Sequence, residues 1–160
     1  MHRIGMGTDS HAFADLNSGK RLVLGSVEIP GEIGLVGDSD GDVILHAAFN
    51  AIMSALGEQG LGFYFNKNNM DKYGHSTAIL EVGLEKMHSL GFRVGNISIT
   101  LEGKKPRLQK HIPSIQEAMS ALLHVLPACV GITITSGDGL TSFGKGEGLY
   151  CQAVVLLEKI

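Results

Sequence analysis

The chain has 160 residues, a net charge of −3, 44% apolar and 18% charged residues, 22 glycines and no tryptophan. That balance excludes a disordered or fibrous chain, and the acidic sign argues against a general nucleic-acid binder. The length is that of one domain, 1–160, large enough to bury roughly two thirds of the surface its unfolded chain would expose.

Taken in order, residues 2–7 read as a first strand ending at glycines. Residues 21–24 and 27–29, joined by Gly25-Ser26, read as a hairpin. The pair Gly5 and Gly7 invites a dinucleotide-binding reading, which fails because the third glycine and the following helix pattern are missing. Ser39 to Asp42 carries a helix-start signature, and Leu45, Phe49, Ile52 and Leu56 then recur at helical spacing, which predicts a helix over about 41–56. Residues 57–75 are rich in glycine and asparagine and read as a long loop. A second helix is expected from Ser76 with the stripe Leu80, Gly83, Leu84 and Met87 and a stop at Gly91.

Ile97, Ile99 and Leu101 alternate with polar residues, the period of a half-buried strand. After the basic stretch 103–111, Pro113 opens a helix whose stripe is Ile115, Met119, Leu122 and Leu126, ended by Pro127. Residues 130–135 form a strand, 136–148 a glycine-rich connection and 149–157 a closing strand. The order β, β-hairpin, α, α, β, α, β, β predicts an α+β fold, a mixed sheet with helices on one face and a ferredoxin-like flavour. Cys129 and Cys151 are expected as buried thiols of a reducing compartment, and no stretch has the length of a signal peptide or membrane span. A cytoplasmic location without membrane contact follows as the expectation.

Asp9 and His11 sit two apart after the first strand, and Asp42, His46 and Asn50 stack along one face of the helix. Asp9, His11 and His46 make an O/N/N set suited to Zn²⁺ with one position open. A lone histidine near a helix start is more often a cap or core contact than a ligand. Thr133, Thr135 and Ser136 at a strand end could offer hydroxyls to phosphate, with Asp138 able to hold a hard cation, or they are a turn and a polar strand face. Gly144 to Gly148 is not a phosphate-binding loop of the Walker type, since no Ser or Thr follows Lys145.

Four segments in series carry a resemblance: Arg-Ile-Gly-x-Gly-x-Asp-x-His-x-Phe at 3–13, Ser-Asp-Gly-Asp-Val-x-x-His-Ala at 39–47, Pro-Arg-x-x-x-His-Ile-Pro at 106–113 and Gly-Lys-Gly-Glu-Gly at 144–148. Together they resemble the 2-C-methyl-D-erythritol 2,4-cyclodiphosphate synthase family of the non-mevalonate isoprenoid pathway, over nearly the whole chain. The resemblance implies a homotrimer with active sites between subunits and the chemistry of a phosphorus–oxygen lyase. The substrate it implies is 4-diphosphocytidyl-2-C-methyl-D-erythritol 2-phosphate, cyclised with release of CMP.

On matching positions Asp9, His11 and His46 would hold Zn²⁺ or another divalent cation, and Asp138 would bind Mg²⁺ or Mn²⁺ with the diphosphate. Thr135 and Ser136 would contact the diphosphate, Ser136 steadying the transition state. Gly103, Lys105, Pro106, Arg107, Leu108 and Gln109 would line the cytosine pocket. Ser142 and Lys145 complete the substrate-binding set, with Lys145 and Glu147 at the trimer axis. Leu, Val and Ile side chains of the closing strand would pack between subunits.

The sequence also departs from the family pattern. Asp38, beside Ser39, stands where a phosphate-placing histidine is usual, and Asn50 where an aspartate is usual. Gln59-Gly60-Leu61-Gly62 matches the sugar-facing Gly-Asp-Ile-Gly motif, and Phe65-Asn66-Lys67 the Phe-Pro-Asp after it. A rebuilt sugar pocket using Glu58 or Asn68 accounts for this. The alternative is a non-catalytic trimeric module that keeps a metal and a cytidine or diphosphate site.

Overall fold

The computed structural model describes residues 1–66, 68–69 and 73–160. Lys67, matched above to the family's Phe-Pro-Asp segment, lies outside the described residues. The elements run β1 (His2–Ala12), β2 (Arg21–Leu24), β3 (Val27–Ile33), α1 (Val43–Leu56), α2 (Leu61–Tyr64), α3 (Ser76–Ser89), β4 (Phe92–Glu102), α4 (Ile112–Leu123), β5 (Val130–Thr135), α5 (Ser142–Lys145) and β6 (Gly148–Lys159). Four strands form one sheet in the order β1-β6-β4-β5, and β2 and β3 form a separate hairpin. β6 is antiparallel to β1 and β4, while β4 and β5 run parallel, so the sheet is mixed, as expected.

β1 does not stop at its glycines. It continues to Ala12, paired along its whole length with β6. The glycines have another cause: a Cβ on Gly5 would lie 2.0 Å from the Ala51 carbonyl oxygen, and one on Gly7 2.3 Å from that of Ala47. α1 therefore rests directly on the β1 backbone. Its stripe, Leu45, Phe49, Ile52 and Leu56, is buried as the spacing predicted, and so are Val43, Ala47, Ala48 and Met53 on other sides, because α3 covers what the sheet does not.

Asp42 caps α1. Its side chain accepts from Ile44 N (3.1 Å) and Leu45 N (3.1 Å), and also from Gly25 N (2.9 Å) and Ser26 N (2.7 Å) in the hairpin turn. Full burial pushes its carboxyl up to about 6, with these N–H donors pulling the other way. At the far end Gly57 closes α1 in the left-handed conformation, φ 77°.

α3 buries Leu80, Gly83, Leu84 and Met87 as expected. α4 ends earlier than its pattern suggested, because His124 turns left-handed (φ 55°) and leaves Leu126 73% exposed. Cys151 is buried and its thiol is pushed well up by burial, while Cys129 is half-buried, and both are free. Among the described residues no helix is long and apolar enough to cross a membrane.

Candidate metal centre and its clefts

Successive strand residues alternate faces, so Asp9 and His11 point the same way from β1. His46, one turn into α1, meets them. Asp9 Oδ2 lies 2.9 Å from His11 Nε2 and 3.1 Å from His46 Nδ1, and the two ring nitrogens are 3.4 Å apart. A tetrahedral ion with bonds of about 2.0–2.1 Å has ligand–ligand edges of about 3.3 Å, so this triangle closes on Zn²⁺ with only a slight expansion. Among the described residues this is the group of three donors placed for a metal, and Asp138 is not part of it.

His46 is buried, whereas Asp9 and His11 are half-buried, so the fourth face of the triangle opens outward. Burial raises Asp9, but hydrogen bonds and charge from His11 and His46 outweigh it and hold the carboxyl below its usual value. Asp9 in turn raises His11 above the usual imidazole value, with burial acting against it.

A second layer stands behind His46. Its Nε2 lies 2.9 Å from Ser76 Oγ and 3.3 Å from Ser39 Oγ. Ser76 Oγ donates to Asp40 Oδ1 in a short hydrogen bond, and Asp40 accepts from Ser76 N (3.2 Å) and Asp42 N (3.2 Å). Asp40 entered the sequence reading as part of a helix start and of the 39–47 segment, and Ser76 only as a helix start. They are 36 positions apart, and no local spacing links them.

The triad opens into a cleft of about 770 Å³ lined also by Lys20, Asp38, Ser39, Leu61, Phe65 and Asn66. Lys20 was not singled out in the sequence. Its Nζ donates to Gly37 O (2.7 Å) and Leu35 O (3.4 Å), which holds the loop before Asp38.

A second cleft of about 570 Å³ contains Thr8, Asp9, Asn50, Glu58, Gly60, Leu61 and Gly62, so Asp9 and Leu61 line both. Asn50 joins its walls: Nδ2 donates to Thr8 O (3.1 Å) and Oδ1 accepts from Leu61 N (2.8 Å). An aspartate here could accept but not donate. Glu58 accepts from Tyr64 Oη (2.9 Å), pairs with Lys86 (3.1 Å) and is lowered by both. The expected loop 57–75 thus holds a short helix, α2, tied down at both flanks.

The remaining predicted residues lie elsewhere. Thr135, Ser136 and Asp138 are exposed at the end of β5, with Ser136 Oγ 3.1 Å from Asp138 Oδ1. Lys105, Pro106, Arg107 and Gln109 line a groove of about 670 Å³ with Glu32, Lys110 and His111, and it shares no lining residue with the two clefts at the triad. Gly103 donates to Thr135 O (3.0 Å), which joins this stretch to β5. Leu108 departs from the expectation: its side chain is buried in the core, because the chain turns inward before α4. Ser142 opens α5, and Lys145 and Glu147 are exposed beyond it.

The chain is similar to known proteins over its full length. The YgbB family model matches residues 2–158. A 2-C-methyl-D-erythritol 2,4-cyclodiphosphate synthase from Halalkalibacterium halodurans is 38% identical over 160 residues, covering 99% of this chain and 100% of the relative. One from Aquifex aeolicus is 39% identical over 159 residues, covering 99% and 98%. A solved 2C-methyl-D-erythritol-2,4-cyclodiphosphate synthase with CDP bound superposes with a TM-score of 0.87 at 29% identity, covering 98% of this chain and 100% of the other. The Plasmodium falciparum IspF–CDP complex gives 0.85 at 26% identity, covering 99% and 96%. Motif order, sheet topology and full-length similarity place this chain in the YgbB family, alongside cyclodiphosphate synthases.

Proposed function

We propose that the protein cyclises 4-diphosphocytidyl-2-C-methyl-D-erythritol 2-phosphate to 2-C-methyl-D-erythritol 2,4-cyclodiphosphate, releasing CMP. The observation that carries this is the Asp9/His11/His46 triangle with its open face toward the 770 Å³ cleft, in a chain similar to these synthases over its full length. An oxygen of the 2-phosphate bonds to the β-phosphorus, and the bond from that phosphorus to the bridging oxygen breaks. The electron pair leaves with CMP, which makes the reaction a phosphorus–oxygen lyase step. Little covalent chemistry falls to the protein, so positioning and charge neutralisation dominate.

Asp9, His11 and His46 would hold Zn²⁺ or another divalent ion, a donor set that fits a borderline cation. Bound there, the ion would neutralise charge on a phosphate oxygen of the folded substrate. Lys20 is the cationic side chain that lines the same cleft as Asp38, which stands in place of the usual histidine. Asp38 and Ser39 face the substrate phosphates. Gly60, Leu61 and Gly62 form the floor of the sugar side, where Glu58 supplies the carboxylate for the diol hydroxyls, immediately upstream of the matched motif.

The nucleotide half belongs to a neighbouring subunit of a homotrimer. Support comes from the separation of the 670 Å³ groove from the triad clefts and from the open face of the sheet, where Ile4 is 73%, Met6 56% and Val154 37% exposed. On that reading Lys105, Pro106, Arg107 and Gln109, with the backbone of Gly103 and Leu108, take the cytosine. Thr135, Ser136 and Ser142 hold the diphosphate, Asp138 holds Mg²⁺ or Mn²⁺, and Lys145 stands near the axis. Chain 1–160 acts as one domain per subunit, in the cytoplasm, without nucleic-acid or membrane partners.

The test is product analysis by mass after incubating the purified protein with the diphosphocytidyl substrate, Zn²⁺ and Mg²⁺, beside Asp9→Ala and His11→Ala. CMP and the cyclic diphosphate from the wild type alone are expected. A folded, metal-loaded wild type that releases no CMP moves the function to a binding protein.

A further inference from the structure

Behind the triad lie two side chains, Asp40 and Ser76, that do not line its 770 Å³ cleft. His46 sits at the end of a chain of hydrogen bonds running from Asp40 through Ser76. Each link has only one sense. Asp40 accepts from two backbone N–H groups, of Ser76 and Asp42, so its oxygens are acceptors. The Ser76 hydroxyl therefore gives its one proton to Asp40 Oδ1. A hydroxyl whose proton is spent can only accept from a further neighbour. The contact of 2.9 Å between Ser76 Oγ and His46 Nε2 must then be an Nε2–H donating to Ser76.

We infer that Ser76 and Asp40 are positioning residues for metal binding: they hold the proton of the His46 ring on Nε2, so that the Nδ1 lone pair is aimed at the ion. The inference rests on the ligand reading of Asp9, His11 and His46. It explains why a serine at the start of α3 is fully buried against a carboxylate from the loop before α1. The side chains bridge two separate elements at the back of the one ligand that is itself buried. Ser39 closes the same layer: its hydroxyl lies 3.3 Å from both His46 Nε2 and Ser76 Oγ.

Partners behind a ligating histidine are typically worth about 10–100-fold in metal affinity. Chelator competition with Zn²⁺ on the full chain should show a loss in that range for Ser76→Ala and a smaller one for Asp40→Asn. Long-range ¹H–¹⁵N spectra of the Zn²⁺-loaded wild type should show His46 protonated at Nε2, in slow exchange with water, a readout that does not require any variant to fold. Wild-type affinity in Ser76→Ala overturns the inference, and so does a His46 ring bound through Nε2. A folded wild type that binds no Zn²⁺ overturns the ligand reading and this inference with it.

Discussion

The two halves of the candidate site are built differently. Around the triad, β1, α1, α3 and the loop before α1 converge, and His46, Ser76 and Asp42 are buried with their hydrogen bonds made. At the end of β5, by contrast, Thr135, Ser136 and Asp138 are exposed and bond mainly to one another, within four residues. The first half is held by hydrogen bonds among its own buried residues. The second offers polar groups on an open surface, which the proposed trimer would have a neighbouring subunit complete. Preorganisation is where electrostatic sites gain their strength, so the two halves should respond unequally to change.

The largest effect should come from Asp9→Ala, which removes the shared corner of the triangle. We expect stoichiometric metal binding to vanish and turnover to fall on the order of 10³-fold, measured by metal analysis and CMP release. Gly7→Ala tests the rigidity of the same half without touching a ligand. Its Cβ would meet the Ala47 carbonyl at 2.3 Å, next to His46, so helix and strand must part at a cost of about 1–3 kcal/mol in chemical unfolding. Gly139→Ala, at φ 73° with open space around it, should cost only about 1 kcal/mol. Equal losses in the two glycine variants would erase the contrast between the halves.

Ser136→Ala should lower kcat/KM about tenfold, the value of one hydrogen bond to a charged group, while leaving Zn²⁺ affinity unchanged. A fall in metal affinity would mean that the halves are coupled within one chain. The smallest effect is on pH dependence in metal-stripped protein. His11 is raised above 6.5 in the fold, so its contribution is full below that value and lost as pH rises through its folded value. Asp9 is depressed below 3.8, so its contribution is present above that value and lost as pH falls through its folded value. The thermal midpoint of the wild type should therefore exceed that of Asp9→Asn most at mildly acidic pH, and the gap should narrow toward alkaline pH.

The three candidate donors were legible in sequence over short range, Asp9 and His11 by a strand's two-residue period and His46 by a helix start, and the resemblance joined them into one set. The element order was legible for the same reason. What joins distant segments was not. Gly5 and Gly7 read as punctuation, since nothing in one sequence says that a helix 40 residues later will lie against them. Asp40 and Ser76 each look like helix caps, and only the fold makes them one chain of hydrogen bonds. Lys20 was hidden in an ordinary polar stretch. Leu108 entered the nucleotide set by resemblance, and burial of its side chain in the core leaves its backbone for that part.

Asp42 gathers four backbone N–H groups from two places, the hairpin turn at Gly25 and Ser26 and the first turn of α1. Neither set of donors is satisfied alone, because a buried amide left without a partner costs free energy comparable to a lost hydrogen bond. The hairpin and the helix are thus locked into one cooperative opening event. The amide protons of residues 25, 26, 44 and 45 should trade with solvent deuterium at a common free energy, although 17 residues of chain separate Gly25 from Asp42.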